Sequence, residues 1–181
     1  VSRHFIDCHP SSAAFWWFFE YLNRFVQNWY YVGIGTLTPW EYFIFATLPF
    51  STVLPAVLGT SEWLATFPRL SAGLDHFAPI RVRRPKVVAL IMLASATLGL
   101  AAIGLRPDWL FPLLWLAPLI IVSSLHALCG RETIFAAAGR GDWRQLWLLA
   151  LAAVLCGFFW EMWNYHSLAK WIYTVPYVNR F

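Results

Sequence analysis

The sequence predicts an all-α fold, a polytopic helical membrane bundle of about five transmembrane helices, on three observations. Of 181 residues, 60% are hydrophobic and only 12% are charged, whereas soluble domains average roughly 45–50% apolar and about 25% charged residues. Several apolar stretches are long enough, or nearly so, to cross a bilayer. The chain is also tryptophan-rich, with 12 Trp, and Trp and Tyr concentrate at membrane interfaces.

A helix needs about 20 residues to cross a hydrocarbon layer of roughly 30 Å. The predicted spans are about 13–32, 40–58, 87–105, 109–128 and 146–165. The first is the least regular, because Glu20, Asn23, Arg24 and Gln27 lie inside it. We expect the chain, 1–181, to form a single transmembrane helical domain. Because it starts without Met, we also expect it to be part of a longer protein.

Basic residues are concentrated in two of the connections between these spans. They are Arg69, Arg81, Arg83, Arg84 and Lys86 in one connection, and Arg131, Arg140 and Arg144 in the other. The connection between the third and fourth spans holds only Arg106. Since Lys and Arg favour the cytoplasmic side, the pattern predicts a multi-pass protein of the bacterial cytoplasmic (inner) membrane with both basic connections inside.

Two similar polar motifs lie inside the first and last spans. Glu20 and Asn23 follow a pair of aromatic residues, as do Glu161 and Asn164. An aromatic cluster then follows each Glu after nine or ten residues, at 29–31 and 171–173. Residues three apart share a helix face, so each pair can direct a carboxyl and a carboxamide at one interior point. Both helices run in the same direction on this topology, which permits a parallel internal repeat, but so short a match in so aromatic a chain is also expected by coincidence.

The carboxyl groups of these motifs require a partner or a function, because a charge inside a span costs roughly 2.5–3.5 kcal/mol on insertion scales. Glu20 and Glu161 could share a proton and serve acid/base chemistry or a proton relay. The alternative is structural, with Glu20 paired to Arg24 and Glu161 paired to Lys170 or to an asparagine. We expect the first and fifth spans to pack together, with both Glu and both Asn residues facing a shared interior site.

Histidine and cysteine residues add weaker candidates. His166, at the predicted outer boundary, could exchange protons with water, although an interfacial His needs no function. His126 could ligate a metal in a haem or chlorin through an imidazole nitrogen, but its span contains no second His. The three cysteines lack metal-ligand spacing. We therefore predict no metal site, and the sequence identifies no cofactor.

Both ends of the chain contain distinctive runs, at 19–32, 52–56, 159–165, 170–173 and 175–177. In these runs the chain resembles a family of uncharacterised bacterial multi-pass membrane proteins with repeated aromatic-Glu-x-x-Asn motifs. The resemblance covers both ends well and the middle weakly. It implies the same topology, importance for the motifs, and longer chains with further apolar segments on either side. It implies no particular activity.

For function, we expect a subunit of a membrane complex or a binder of a lipid-soluble molecule such as a quinone, carotenoid or lipid. Aromatic helices would form the walls of the binding site, and the Glu and Asn residues would orient the ligand. The alternatives are a membrane enzyme acting on an isoprenoid or lipid, with Glu161 or Glu20 as general acid, and a proton-coupled carrier. The expected partners are the bilayer, other subunits and a hydrophobic small molecule. Nucleic acid is excluded, because the basic residues form no long stripe.

Overall fold

A computed structural model describes residues 3–177 of the protein, with side chains from Cys8 onward. Within this range the chain is mostly helical. The α-helices are α1 (Arg3–Val26), α2 (Pro39–Ala65), α3 (Pro85–Ala101), α4 (Pro107–Leu110), α5 (Leu113–Leu128), α6 (Ala136–Gly139) and α7 (Arg144–His166). A 3-10 helix covers Pro68–Ser71, and two short strands are β1 (Trp29–Val32) and β2 (Lys170–Tyr173).

The chain divides into two compact units. The first unit comprises 1–66 and 149–181, and the second comprises 67–148. The first unit therefore contains α1, α2, both strands and most of α7. Both polar motifs lie in this first unit.

In the first unit, α1 packs along α2. The ring of Trp17 stacks on that of Phe43, with 4.9 Å between centroids and 25° between planes. The buried hydroxyl of Ser12 donates to the carbonyl oxygen of Phe50 (2.6 Å) and accepts from the backbone N–H of Leu54 (3.0 Å). Ser12 thus satisfies a backbone donor and a backbone acceptor one turn apart in α2.

Helix α2 begins at a capping box. The side chain of Thr38 accepts from the backbone N–H of Glu41, and the Glu41 carboxylate accepts from the backbone N–H of Thr38 (2.8 Å). Pro39 occupies the first helical position, where its missing N–H leaves no hydrogen bond unmade. These contacts fix where the chain turns from β1 into α2.

Two helices, α2 with 27 residues and α7 with 23, are long and apolar enough to cross a membrane. Only 11% of the most apolar stretch of α2 and 17% of that of α7 is buried inside the protein. A core helix of a water-soluble protein would be mostly buried. The apolar helices α3 and α5 are shorter, with 17 and 16 residues. The combination of length and apolar composition needed to cross a membrane is therefore seen in two helices of the described chain.

In the second unit, α3 packs against α5. Backbone hydrogen bonds also join the two basic connections, from the N–H of Phe77 to the oxygen of Gly141 (2.9 Å) and from the N–H of Ile80 to the oxygen of Ala138 (3.1 Å). The two segments that the Lys and Arg pattern assigns to one side of the membrane therefore lie side by side.

The first predicted span is wrong at its end. Helix α1 stops at Val26, and residues 29–32 form a strand rather than the last turn of a helix. Gln27 adopts a left-handed conformation, with φ of 51°, which ends the helix. The fourth predicted span is also interrupted, because α4 and α5 are separated at Phe111 and Pro112.

Candidate functional site

The site begins at the turn after α1, which the carboxamide of Asn23 holds in place. Its Nδ2 donates to the carbonyl oxygen of Trp29 (2.7 Å), and its Oδ1 accepts from the backbone N–H of Asn28 (2.7 Å). Asn23 is only 8% exposed. A buried carboxamide that satisfies both backbone groups fixes the position of β1 relative to α1.

Glu20 then binds the side chains of the strand. Its Oε1 accepts from the indole Nε1 of Trp29 (3.0 Å) and from the hydroxyl of Tyr31 (2.6 Å). Alternate residues of a strand point to one face, so Trp29 and Tyr31 can reach the same oxygen. The carboxylate and the strand are therefore joined through side chains as well as through Asn23.

The second motif repeats these contacts. Asn164 donates from Nδ2 to the carbonyl oxygen of Trp171 and accepts at Oδ1 from the Trp171 backbone N–H, both at 2.9 Å. Glu161 accepts at Oε1 from the hydroxyl of Tyr173 (2.7 Å) and from the indole of Trp171 (3.3 Å). In each motif, one Glu oxygen serves a Trp and a Tyr two residues apart on the adjoining strand.

The two strands pair with each other in antiparallel register. Trp29 lies opposite Tyr173, Tyr30 opposite Ile172, Tyr31 opposite Trp171 and Val32 opposite Lys170. Beyond the strand ends, the backbone N–H of Thr174 donates to the oxygen of Asn28 (2.8 Å). The sheet therefore joins the two motifs, although they lie some 140 residues apart in the sequence.

These contacts change the predicted arrangement of the motifs. The extensive contacts between described elements are those of α1 with α2, α3 with α5 and β1 with β2, rather than of α1 with α7. Among the described hydrogen bonds, Glu20 and Glu161 each bind their own strand and not each other. The expected packing of the first and fifth spans around a shared interior site receives no support, because the motifs meet through their strands.

The predicted ion pairs of the motifs are also replaced by other contacts. The ion pairs among the described side chains are His76–Asp75, Arg140–Glu132 and Arg144–Asp142. Glu20 is therefore not paired with Arg24, and Glu161 is not paired with Lys170. Neutral indole and phenol donors take the place of these cations.

The surroundings of the two carboxylates differ. Glu20 is half-buried, and Tyr42 of α2 packs edge-on against its partner Tyr31, with 6.1 Å between ring centroids. Glu161 is exposed, and its partner Tyr173 is 47% exposed. Burial and the adjacent Glu161 carboxylate raise the pKa of the Tyr173 hydroxyl to about 12. The first motif is thus the more enclosed of the two.

A cavity of about 950 Å³ opens beside the first motif. Its walls combine aromatic rings with two oppositely charged side chains, and they include Trp17, Tyr21, Tyr31, Tyr42, Glu20 and Arg24. Asn23, which holds the turn, also lines it. Three of the predicted site residues, Glu20, Asn23 and Arg24, therefore come together at one cavity.

The histidine candidates lie outside this cavity. His166 is exposed near the end of α7, and its ring contacts that of Tyr165 at 4.8 Å. His126 is exposed in the second unit, with Nδ1 3.4 Å from the carbonyl oxygen of Glu132. Among the described side chains, residues 8–177, no group of three or more His, Cys, Asp and Glu residues could hold a metal ion.

Four aromatic residues have roles that were not predicted from the sequence. Trp29, Tyr31, Trp171 and Tyr173 are the donors that hold the two carboxylates. In the sequence, each Glu-x-x-Asn motif is followed by the pattern Trp-x-Tyr. The segment between Asn and Trp is one residue longer in the second motif. Tyr42 gave no such signal, because it belongs to a helix outside both motifs.

No protein-family model, curated protein or solved structure matches the chain.

Proposed function

We propose that the protein is a five-span membrane protein that binds a lipid-soluble molecule with a polar end in the cavity beside Glu20. The observation that carries this proposal is the cavity itself, where aromatic walls surround a carboxylate that has one oxygen left to accept a hydrogen bond.

The membrane setting is supported by length, composition and charge. Helices α2 and α7 each have membrane-crossing length, while α1, α3 and the α4–α5 segment supply the other three spans of the proposal. The basic connections between α2 and α3 and between α5 and α7 would face the cytoplasm. Many large apolar side chains of these helices are exposed, such as Leu48 at 72% and Val154 at 73%, and lipid would cover them.

The cavity has the size expected of a small-molecule site, and its lining is mixed polar and apolar. Ligand sites are typically about 300–1,000 Å³, with mostly apolar walls and a few polar groups that fix orientation. Here the rings of Trp17, Tyr21 and Tyr42 provide flat apolar surface, and Glu20 and Arg24 provide the polar groups. A pure hydrocarbon would give Arg24 no partner and would leave the second oxygen of Glu20 without a donor, so the cavity favours an amphiphilic ligand.

Glu20 is prepared to contact such a ligand. Trp29 and Tyr31 both donate to Oε1, and no described residue donates to Oε2. The strand thus fixes the carboxylate and leaves its second oxygen for a donor on the ligand. Binding needs only this fixed acceptor, whereas the enzyme and carrier alternatives require the carboxyl to exchange protons during turnover.

Filling the cavity tests the proposal. Ile34 lines the cavity, while Leu37 lies in the same loop and does not line it. We expect Ile34→Trp, purified in mild detergent, to lose a small molecule that copurifies with the wild type, and Leu37→Trp to retain it. Mass spectrometry of the extracted small molecules measures this. Equal ligand content in both variants, or a wild type without ligand, would contradict the proposal.

A further inference from the structure

We infer that the molecule bound beside Glu20 carries a cationic ammonium next to an anionic phosphate, as the headgroup of an ethanolamine phospholipid does. This inference rests on the proposed function and specifies its ligand. It follows from the way in which two opposite charges on one helix are held apart at the cavity.

Glu20 and Arg24 lie one turn apart on α1, where opposite charges ordinarily attract. They do not form an ion pair among the described side chains. The strand engages Glu20 instead, through Trp29 and Tyr31. Both charges line the same cavity, so a ligand with one positive and one negative group can satisfy each of them.

The part of the cavity beside Glu20 suits an ammonium group. Its walls there are aromatic, with Tyr42 6.1 Å from both Tyr31 and Trp17 between ring centroids. A cation is attracted to the faces of such rings, and a carboxylate within the same group of rings strengthens the attraction. A primary ammonium also has three N–H donors, so it can donate to the open Oε2 of Glu20.

The Arg24 side of the cavity suits a phosphate. A guanidinium binds phosphate oxygens through two parallel N–H donors. Arg24 is exposed and lines the cavity, so a phosphate attached to a larger molecule can reach it. On the proposed topology, this last turn of α1 lies at the depth of the lipid headgroups. A neutral quinone has no charged group that could pair with Glu20 or with Arg24.

The inference is tested by native mass spectrometry of the protein released from lipid nanodiscs. The nanodiscs contain phosphatidylethanolamine, phosphatidylglycerol and a ubiquinone in equal amounts, and soluble phosphoethanolamine is offered in a parallel experiment. We expect the wild type to retain phosphatidylethanolamine preferentially. Glu20→Gln and Arg24→Gln should each lower its retention by about tenfold, the effect of losing one charge-assisted hydrogen bond.

Glu161→Gln is the matched control, because Glu161 accepts from the same two kinds of donor and is expected to keep full retention. Arg24→Gln keeps the test informative if Glu20→Gln does not fold, since Arg24 makes none of the described hydrogen bonds to the strand. Retention of soluble phosphoethanolamine alone would support the charged headgroup and remove the need for a lipid tail.

Preferential retention of phosphatidylglycerol or ubiquinone would overturn the inference and leave the proposed function standing. Unchanged phosphatidylethanolamine retention in both Glu20→Gln and Arg24→Gln would also overturn it. Retention of no added molecule, together with equal small-molecule content in Ile34→Trp and Leu37→Trp, would overturn the proposed function as well.

Discussion

Trp29 lies directly opposite Tyr173 in the two-stranded sheet. The reciprocal pair, Tyr31 opposite Trp171, stands two residues along. The Trp of each motif therefore faces the Tyr of the other, as a local two-fold relationship requires. Since each Trp and Tyr also binds the Glu of its own motif, the sheet links two equivalent helix-to-strand connections.

Asn23 should be a major determinant of stability at the first connection. Replacing Asn23 with Leu leaves the Trp29 carbonyl and the Asn28 N–H buried without their partner, at a cost of about 1–3 kcal/mol for each unsatisfied group. We expect a clear loss of thermal stability in detergent. Gln145→Leu removes an exposed carboxamide from α7 and should have little effect. Equal melting temperatures for the two variants would show that Asn23 does not hold the strand.

Gly33 should tolerate no side chain, because of its position at the end of β1. Its φ is +79°, and a Cβ there would overlap the carbonyl oxygen of Leu168. Gly73 has a similar φ of +76° with open space around it, so Gly73→Ala measures the backbone strain alone. We expect Gly33→Ala to lower the melting temperature well beyond Gly73→Ala. Similar shifts would mean that the chain at Leu168 does not approach Gly33 this closely.

The pKa of the Tyr173 hydroxyl should depend on the neighbouring Glu161 carboxylate. Its pKa is raised from the ordinary value of 10.0 to about 12 by burial and by Glu161. The neutral hydroxyl therefore stabilises the fold below pH 10, and this contribution is lost as the pH rises from 10 through about 12. Glu161→Gln should lower the pKa of Tyr173, as measured by tyrosinate absorbance with Tyr173→Phe as the reference. Glu62→Gln should leave it unchanged, and an identical titration in the wild type, Glu161→Gln and Glu62→Gln would exclude the Glu161 contact.

The membrane orientation can be tested on single-cysteine variants in which Cys8, Cys129 and Cys156 are replaced. On the proposed topology, Arg83→Cys lies in the cytoplasm and Asp108→Cys lies outside. An impermeant thiol reagent added to intact cells should label Asp108→Cys and label Arg83→Cys only after lysis. The opposite pattern would reverse the orientation.

The helical segments were predictable because each leaves a local signal in the sequence. Helix α7 (Arg144–His166) agrees with the stretch predicted at about 146–165, since a long apolar run specifies both type and length. The start of α2 also has a local signal, because Thr38, Pro39 and Glu41 form a recognisable cap. The five-span arrangement stays a proposal.

The site was predictable only in part. The Glu-x-x-Asn spacing placed Glu20 and Asn23 on one face of a helix, because three residues in a helix return to the same face. It could not show that both face a strand, since four residues such as Trp29–Val32 are too short for a clear alternating pattern. Pairing with β2 also depends on a partner far away in the sequence, for which no local signal exists. The role of Tyr42 depends on the packing of α2 against α1.

The most direct test of the proposed lipid site is an experimental structure of the wild-type protein, determined in lipid that contains phosphatidylethanolamine. We expect a bound lipid in the cavity, with its ammonium at the open oxygen of Glu20 and its phosphate at the guanidinium of Arg24. Trp29 and Tyr31 should remain bound to Glu20. A direct Glu20–Arg24 ion pair, with the cavity closed by the protein's own side chains, would contradict it.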